Sequence, residues 1–325
     1  MCTSITMKTS DFYFGRNMDL DYLFNERIVI TPRNFPLKFR KAGVLKKHYA
    51  FMGMATVSNN YPLYADAFNE KGLCMAGLNF PDNAYYMKPE SAGNCGIASF
   101  ELIPWIMGRC STVTEAEKLL KKTHIISVRF NESTPNASLH WHIADSERSI
   151  VLEPTANGMN IYDNPAGVLT NNPPFSFQMA NLSQYMNLTT SVPENCFSHK
   201  VGIKPFGKGL GSFGLPGDFS PASRFVKAAY LRLNSKCSDD EQSSISQCFH
   251  LLDSVSVVNG CINSEDFEFY ETTYSACMNT DKGFYYYKTY GNSRITAINM
   301  NNENLDGSEL IEFPLQNEQQ ILWVN

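Results

Sequence analysis

The chain has no run of about 18 uninterrupted apolar residues, which excludes a transmembrane helix. Its N-terminal segment is broken up by Lys8, Asp11, Arg16 and Asp19, so no secretory signal is predicted there. No basic stripe and no acidic tail stand out in a balance of 27 Lys and Arg against 32 Asp and Glu. That argues against nucleic acid as a partner, against a membrane partner and against a disordered charged arm. No pair among the nine cysteines has C-x-x-C spacing, which excludes a zinc ribbon and a thioredoxin-like motif. Reduced, mostly buried thiols in a cytoplasmic protein are expected. Internal repeats, low-complexity tracts and linkers are also lacking, so residues 1–325 are expected to form a single domain.

What is plentiful is apolar and aromatic. Hydrophobic residues make up 43% of the chain, with 22 Phe, 16 Tyr and 3 Trp. Many of these must be core, and the surplus suits an apolar ligand pocket.

Residues 2–8 alternate in character, Thr9-Ser10-Asp11 reads as a turn, and Phe12 to Arg16 reads as a second strand. A hairpin about residue 10 would set Ser4 opposite Arg16 and Cys2 opposite Met18. Cys2 and Arg16 would then share one face of the sheet, with Asp19 following at the strand end. Removal of Met1, expected before a small residue, would give Cys2 a thiol and a free α-amine. The first is a nucleophile when ionised, and the second can act as its base. From position alone, an incidental residue at a frayed terminus is the simpler account.

Further strands are predicted at Val29 to Pro32, Tyr49 to Val57, Leu73 to Phe80, Ile125 to Phe130, Ser138 to Ala144, Ser149 to Glu153 and Gly167 to Thr170. Those near the C-terminus are Phe267 to Tyr274, Phe284 to Tyr290 and Ile295 to Met300. Helices are predicted at Phe100 to Gly108, after a capping box at Thr112 to Glu115, at about Phe175 to Leu188, after Ser220-Pro221, and at Ile245 to Val255. Strands and helices are grouped rather than alternating. That points to an α+β protein in which two antiparallel sheets stack with helices outside.

Several motifs carry less than they suggest. Gly209 to Gly214 matches G-x-G-x-x-G, but Pro216-Gly217 follows where a dinucleotide fold needs a helix, so a loop is expected. His140 and His142 flank Trp141 without a third ligand, and structural histidines are the default. No metal and no cofactor is expected. Asn79, Asn171 and Asn172 end strands, where amides usually form turns; an oxyanion donor is the functional alternative. Arg224 falls in the first turn of a helix, where the macrodipole disfavours a cation, so a specific partner is expected for it.

Together these stretches resemble the choloylglycine hydrolase family, which contains the bile salt hydrolases and penicillin V acylases. The resemblance is carried by MCTS at the start, FGRNMDLD at 14–21, AGLNFP at 76–81, LTNNPPF at 169–175 and LPGDFSPASRF at 215–225. It implies an N-terminal-nucleophile hydrolase with a four-layer αββα sandwich, usually a cytoplasmic bacterial homotetramer. It implies Cys2 as nucleophile with its α-amine as base, and Arg16 and Asp19 as the groups that position them. Asn171 and the backbone N–H of Asn79 would meet the oxyanion, and Arg224 would complete the charged shell. Asparagine rather than tyrosine at 79 tilts the implied substrate toward glycine- or taurine-conjugated bile salts and away from penicillin V. Met18, Leu20, Phe24, Ala65 and Phe130 would line the steroid pocket. A non-catalytic bile-acid-binding protein would explain the aromatics, but not Cys2 with Arg16 and Asp19.

Overall fold

In the computed structural model, all residues except 94–95, 135 and 264–268 are described. The chain opens with strands β1 (Cys2–Lys8), β2 (Phe12–Leu20), β3 (Arg27–Thr31), β4 (Leu37–Phe39), β5 (Gly43–Leu45), β6 (Phe51–Ser58), β7 (Tyr61–Tyr64), β8 (Asp66–Asn69) and β9 (Cys74–Asn79). There follow β10 (Gly96–Ala98), α1 (Leu102–Met107), α2 (Val113–Leu120), β11 (His124–Ile126), β12 (Leu139–Ala144), β13 (Ser149–Thr155), β14 (Gly158–Asp163) and β15 (Val168–Leu169). The last third holds α3 (Phe175–Asn181), α4 (Pro221–Asn234), α5 (Glu241–Asp253), β16 (Glu271–Asn279), β17 (Phe284–Thr289), β18 (Asn292–Asn299) and β19 (Ile311–Pro314).

Two antiparallel sheets dominate. One has six strands in the order β15-β1-β2-β16-β17-β18. The other has nine, in the order β14-β13-β12-β9-β8-β6-β3-β19, with β7 paired to β6. A buried cluster joins Cys2, Phe14 and Ala276 of the first sheet to Met52, Phe68 and Ala76 of the second, and reaches Phe225 on α4 and Leu252 on α5. A second cluster packs the far face of the nine-stranded sheet, through Met75, Trp141 and Leu152, against Leu102, Ile106 and Val113 of α1 and α2. The layers therefore run helix, sheet, sheet, helix, and the expected α+β sandwich of αββα type is observed.

The helix starts follow their sequence signals. Ser220 accepts from Ser223 N–H at the start of α4, with Pro221 in its first turn, and Asp240 caps α5 likewise. Thr112 caps α2 by accepting from Glu115 N–H. The box is only half formed, because the Glu115 carboxylate turns to the Ser111 N–H and hydroxyl instead.

Other expectations are corrected in extent. Strand β11 stops at Ile126, where Val128 N–H folds back onto the Ile126 carbonyl, so Phe130 lies on no strand. The helix expected to reach Leu188 gives way to a 3-10 turn after Asn181. The strand predicted from Phe267 falls partly outside the described residues, and β16 continues to Asn279. The glycine-rich 209–214 segment forms a short 3-10 turn with no strand before it. Among the described residues no helix is long and apolar enough to cross a membrane, and no cluster of His, Cys, Asp or Glu could hold a metal. Of the described thiols, Cys2, Cys74, Cys110, Cys248 and Cys277 are buried and unpaired, while Cys95 lies outside the described residues.

Candidate active site

The β1–β2 hairpin has the register its alternation predicts: Cys2 pairs with Met18 and Ser4 with Arg16. Strand β2 runs on to Leu20, so Asp19 lies within it rather than after it. Strand β1 is paired on both sides, since β15 takes its other edge through Ser4 and Ile5. Cys2 is thus the first residue of a strand inside the sheet, and only 3% exposed.

Alternation points Cys2, Ser4 and Arg16 toward the nine-stranded sheet. The Arg16 guanidinium spans the gap between the sheets. Its Nη2 donates to the Gly77 carbonyl at 2.7 Å and to Cys2 Sγ at 3.3 Å. Its Nη1 donates to the Ala65 carbonyl and lies 3.3 Å from Asp66 Oδ2. Burial alone would weaken this cation, but Tyr274, Cys2 and Asp66 around it hold the guanidinium above its ordinary range. The Met18 thioether lies 3.5 Å from the Cys2 sulfur and 3.4 Å from Arg16 Nη2.

The opposite side of Cys2 is closed by α4 and by the end of β15. Cys2 N–H donates to Asn171 Oδ1 at 2.9 Å. Arg224 donates through Nη2 to the same Asn171 oxygen at 2.8 Å, and through Nη1 to the Cys2 carbonyl and Thr3 Oγ1 at 2.6 and 2.7 Å. This answers the placement of a cation in the first turn of α4: the side chain is spent on four acceptors, the last being the Phe219 carbonyl. Burial pulls the Arg224 guanidinium below its usual range, against the opposing charges of Asp19 and Cys2. Asp218, at the mouth of the same helix, accepts from Ser220 N–H and Ser223 Oγ, and the hydroxyls of Ser220 and Ser223 with the Ser220 N–H lower it to about 2.

Asn171 also joins this site to Asn79. Its Nδ2 donates to the Asn79 carbonyl at 2.8 Å. Asn79 faces Leu139 across the β9–β12 ladder. The neighbouring pair carries the ladder bond, Phe80 N–H to the Ser138 carbonyl, while Leu139 N–H goes to the Tyr86 hydroxyl. Opposed residues alternate between bonded and non-bonded pairs, so both the N–H and C=O of Asn79 point away from β12, toward Asn171.

Asp19 is fully buried. Its Oδ1 accepts from Thr272 Oγ1 at 2.6 Å, while Oδ2 has no hydrogen-bond partner and lies 3.9 Å from Arg224 Nη1. Its backbone holds Met1 through both N–H and C=O.

Of the other five predicted catalytic positions, Arg16, Asn171 and Arg224 bond Cys2 directly, while Asn79 is joined to it through Asn171 and Asp19 through Arg224. The predicted pocket residues divide. Met18 and Ala65 touch Arg16 directly, and Leu20 packs on the central core. Phe24 is exposed and sits edge-on to Tyr22 at 4.5 Å, just beyond Asp19 in sequence. Phe130 belongs to another aromatic group, with Tyr61 at 5.8 Å and Phe100 at 5.3 Å, under the Arg40 guanidinium. A cleft of about 590 Å³ lined by Tyr85, Met87, His124, Pro154 and Met159 shares no residue with this site.

Along residues 2–313 the chain matches the family model described as linear amide C-N hydrolases, choloylglycine hydrolase family. The chain belongs to the choloylglycine hydrolase family. It is 48% identical over 325 residues to a bile salt hydrolase/transferase of Lactiplantibacillus plantarum, covering 100% of both chains. It is 42% identical over 319 residues to a protein of the same description from Clostridium perfringens, covering 95% of each. A crystal structure of a mutant conjugated bile acid hydrolase from Clostridium perfringens superposes with a TM-score of 0.92 at 39% identity, over 100% of both chains. A penicillin V acylase from Agrobacterium tumefaciens shares the fold at a TM-score of 0.76 and 20% identity, over 97% of this chain and 92% of its own. The αββα layers are those of N-terminal-nucleophile hydrolases.

Asp66 and Thr272 were missed in the sequence. Asp66 left a trace, as a lone acid in the apolar stretch Leu63 to Phe68, matched by a lone Arg16 in the apolar stretch Phe12 to Met18. Two buried opposite charges in apolar strands are natural partners. Thr272 left none.

Proposed function

We propose that this protein hydrolyses the amide bond of glycine- or taurine-conjugated bile salts, with Cys2 as nucleophile. The observation that carries this reading is the double hold on Cys2: its sulfur on Arg16 and its nitrogen on Asn171. Loss of Met1 would remove the two backbone bonds to Asp19 and turn the Cys2 nitrogen into an amine still facing Asn171 Oδ1. The buried Asp19 Oδ2, which has no hydrogen-bond donor and lies 3.9 Å from Arg224 Nη1, is then available to a second cation.

In this mechanism the Cys2 sulfur attacks the amide carbonyl and its proton passes to the α-amine. Asn171 Nδ2 carries two hydrogens, of which Asn79 O takes one, so the second can meet the oxyanion beside the Asn79 N–H. The α-ammonium returns the proton to the leaving glycine or taurine nitrogen as the C–N bond breaks. Water then hydrolyses the thioester, releasing the bile acid and restoring the thiol. No histidine is needed, and His140 and His142 are both engaged in buried structural bonds.

Met18 beside the sulfur and Ala65 on Arg16, with Leu20, Phe24 and Phe130 farther out, would form the apolar wall for a steroid. The whole of 1–325 would act as one domain, and the homotetramer and cytoplasmic location belong to the same proposal. Exposed Phe206, Phe213 and Trp323 offer apolar surface for a second copy. The test is turnover of taurocholate, glycocholate and penicillin V by wild type and Cys2→Ala. The reading expects a bile-salt preference, lost in a folded Cys2→Ala protein with Met1 absent by intact mass. Retained turnover in Cys2→Ala would sink it, and a preference for penicillin V would move the substrate assignment.

A further inference from the structure

Behind Arg16, on the side away from Cys2, lies a buried acid that the mechanism above does not use. Asp66 is fully buried at the start of β8. Its Oδ2 accepts from the Tyr274 hydroxyl at 2.7 Å and lies 3.3 Å from Arg16 Nη1. Its Oδ1 accepts from the Tyr285 hydroxyl at 2.7 Å and from Met54 N–H at 3.3 Å. We propose that Asp66, clamped by the two phenols, is a positioning residue that fixes the Arg16 guanidinium against the Cys2 sulfur.

The short bonds to this carboxylate come from neutral hydroxyls rather than from the arginine. Burial raises both Tyr274 and Tyr285 well above the ordinary phenol range, so they remain donors throughout the working pH range. A buried carboxylate is tolerated only when its oxygens are satisfied, and the phenols do most of that here. The guanidinium is therefore not drawn into a tight bidentate pair with Asp66. One nitrogen rests on Asp66 and the Ala65 carbonyl, and the other remains on the Gly77 carbonyl and Cys2 Sγ. The acid cannot drift, because β6 and β8 touch at Gly53. A Cβ there would stand 1.9 Å from the Asp66 carbonyl oxygen.

The charged and titratable groups around Cys2 are its own α-amine once Met1 is lost, Arg16 and Asp19 on β2, Arg224 on α4 and Tyr274 on β16. Asp66 on β8 and Tyr285 on β17 stand behind Arg16. Only the last two reach the sulfur solely through the guanidinium. In Asp66→Asn, the amide nitrogen must face either Met54 N–H or Arg16, donor against donor, and the guanidinium loses its anionic seat. In Tyr285→Phe, Asp66 keeps Arg16 but regains unshared negative charge, which pulls the guanidinium back from the sulfur.

The inference rests on Cys2 being the nucleophile, and its test contains no substrate, so the two fail separately. Alkylation of Cys2 by iodoacetamide is followed by peptide mass spectrometry over about pH 5 to 10, with Met1 status and folding checked. At neutral pH the rate is expected to fall about tenfold in Asp66→Asn and about threefold in Tyr285→Phe, with both profiles moving to higher pH. A purely structural role would lower the thermal midpoint and leave the profile in place. An unchanged profile in either folded variant, or one displaced to lower pH, overturns the proposal. If Asp66→Asn does not fold, Tyr285→Phe decides alone.

Discussion

Acid should loosen the strand that carries Cys2, and His142 sets where. The ring is wholly buried between Ser4 Oγ on Nδ1 and Ser149 Oγ on Nε2, each at 2.8 Å. Burial, then the nearby charges of Arg232 and His140, hold it down to about 3, so it is neutral in the folded chain. In the unfolded chain an imidazole titrates near about 6.5. Between these values the unfolded state binds more protons, so stability falls as pH drops below about 6.5 and continues to fall toward 3. At pH 5 the loss from this one residue is about 2 kcal/mol, a visible fraction of the ~5–15 kcal/mol that holds a typical protein folded. Guanidinium unfolding at pH 7.5 and pH 5.0 would be compared in wild type and His142→Gln. Glutamine can still bridge polar neighbours but does not titrate. Wild type should lose about 2 kcal/mol more than the variant on acidification. Equal losses in both would refute the assignment of a neutral buried imidazole. Ser4 shares a sheet face with Cys2, so the same acid step should reach the site.

Asn171→Asp keeps an acceptor for Cys2 and Arg224 but replaces the donor that faces Asn79. If that donor also meets the oxyanion, kcat should drop about 10²–10³-fold, and a loss under about tenfold would remove it from that role. Gly53→Ala should destabilise by about 1–3 kcal/mol or more in chemical denaturation, because the added carbon meets the Asp66 backbone rather than a movable side chain. A wild-type unfolding midpoint would show that β6 and β8 can part without cost.

The hairpin was legible because its signal is doubled: period-two alternation on both arms and a polar turn fix the register together. Once the register is fixed, the proximity of Arg16 to Cys2 follows from arithmetic. The grouping of strands and helices was legible for a similar reason, since capped helices such as α4 and α5 mark their own boundaries. The short strands of the larger sheet were not. Strand β8 is buried on both faces, so Asp66–Asn69 shows no alternation to read, and β4 and β5 are too short to show a period. Phe130 was placed on a strand because apolar residues recur up to it, although the chain had already turned at Val128. The role of Arg224 could be anticipated only as an anomaly, a cation at the wrong end of a helix. Three of its four acceptors are tertiary, and no local pattern encodes them.

Strand β1 has no free edge, and this bears on when the site can exist. The residue at the head of the chain is seated by β2, made almost at once, but also by β15 and by Arg224 on α4. Arg16 in turn lies in a strand whose outer neighbour, β16, ends at Asn279. During synthesis, Cys2 emerges first and waits for nearly the whole polypeptide before its surroundings close. A chain released before Glu271, where β16 begins, would carry the thiol without Tyr274, without Thr272 against Asp19, and without the strand that flanks Arg16. Truncated products would therefore hold an exposed Cys2 outside its site.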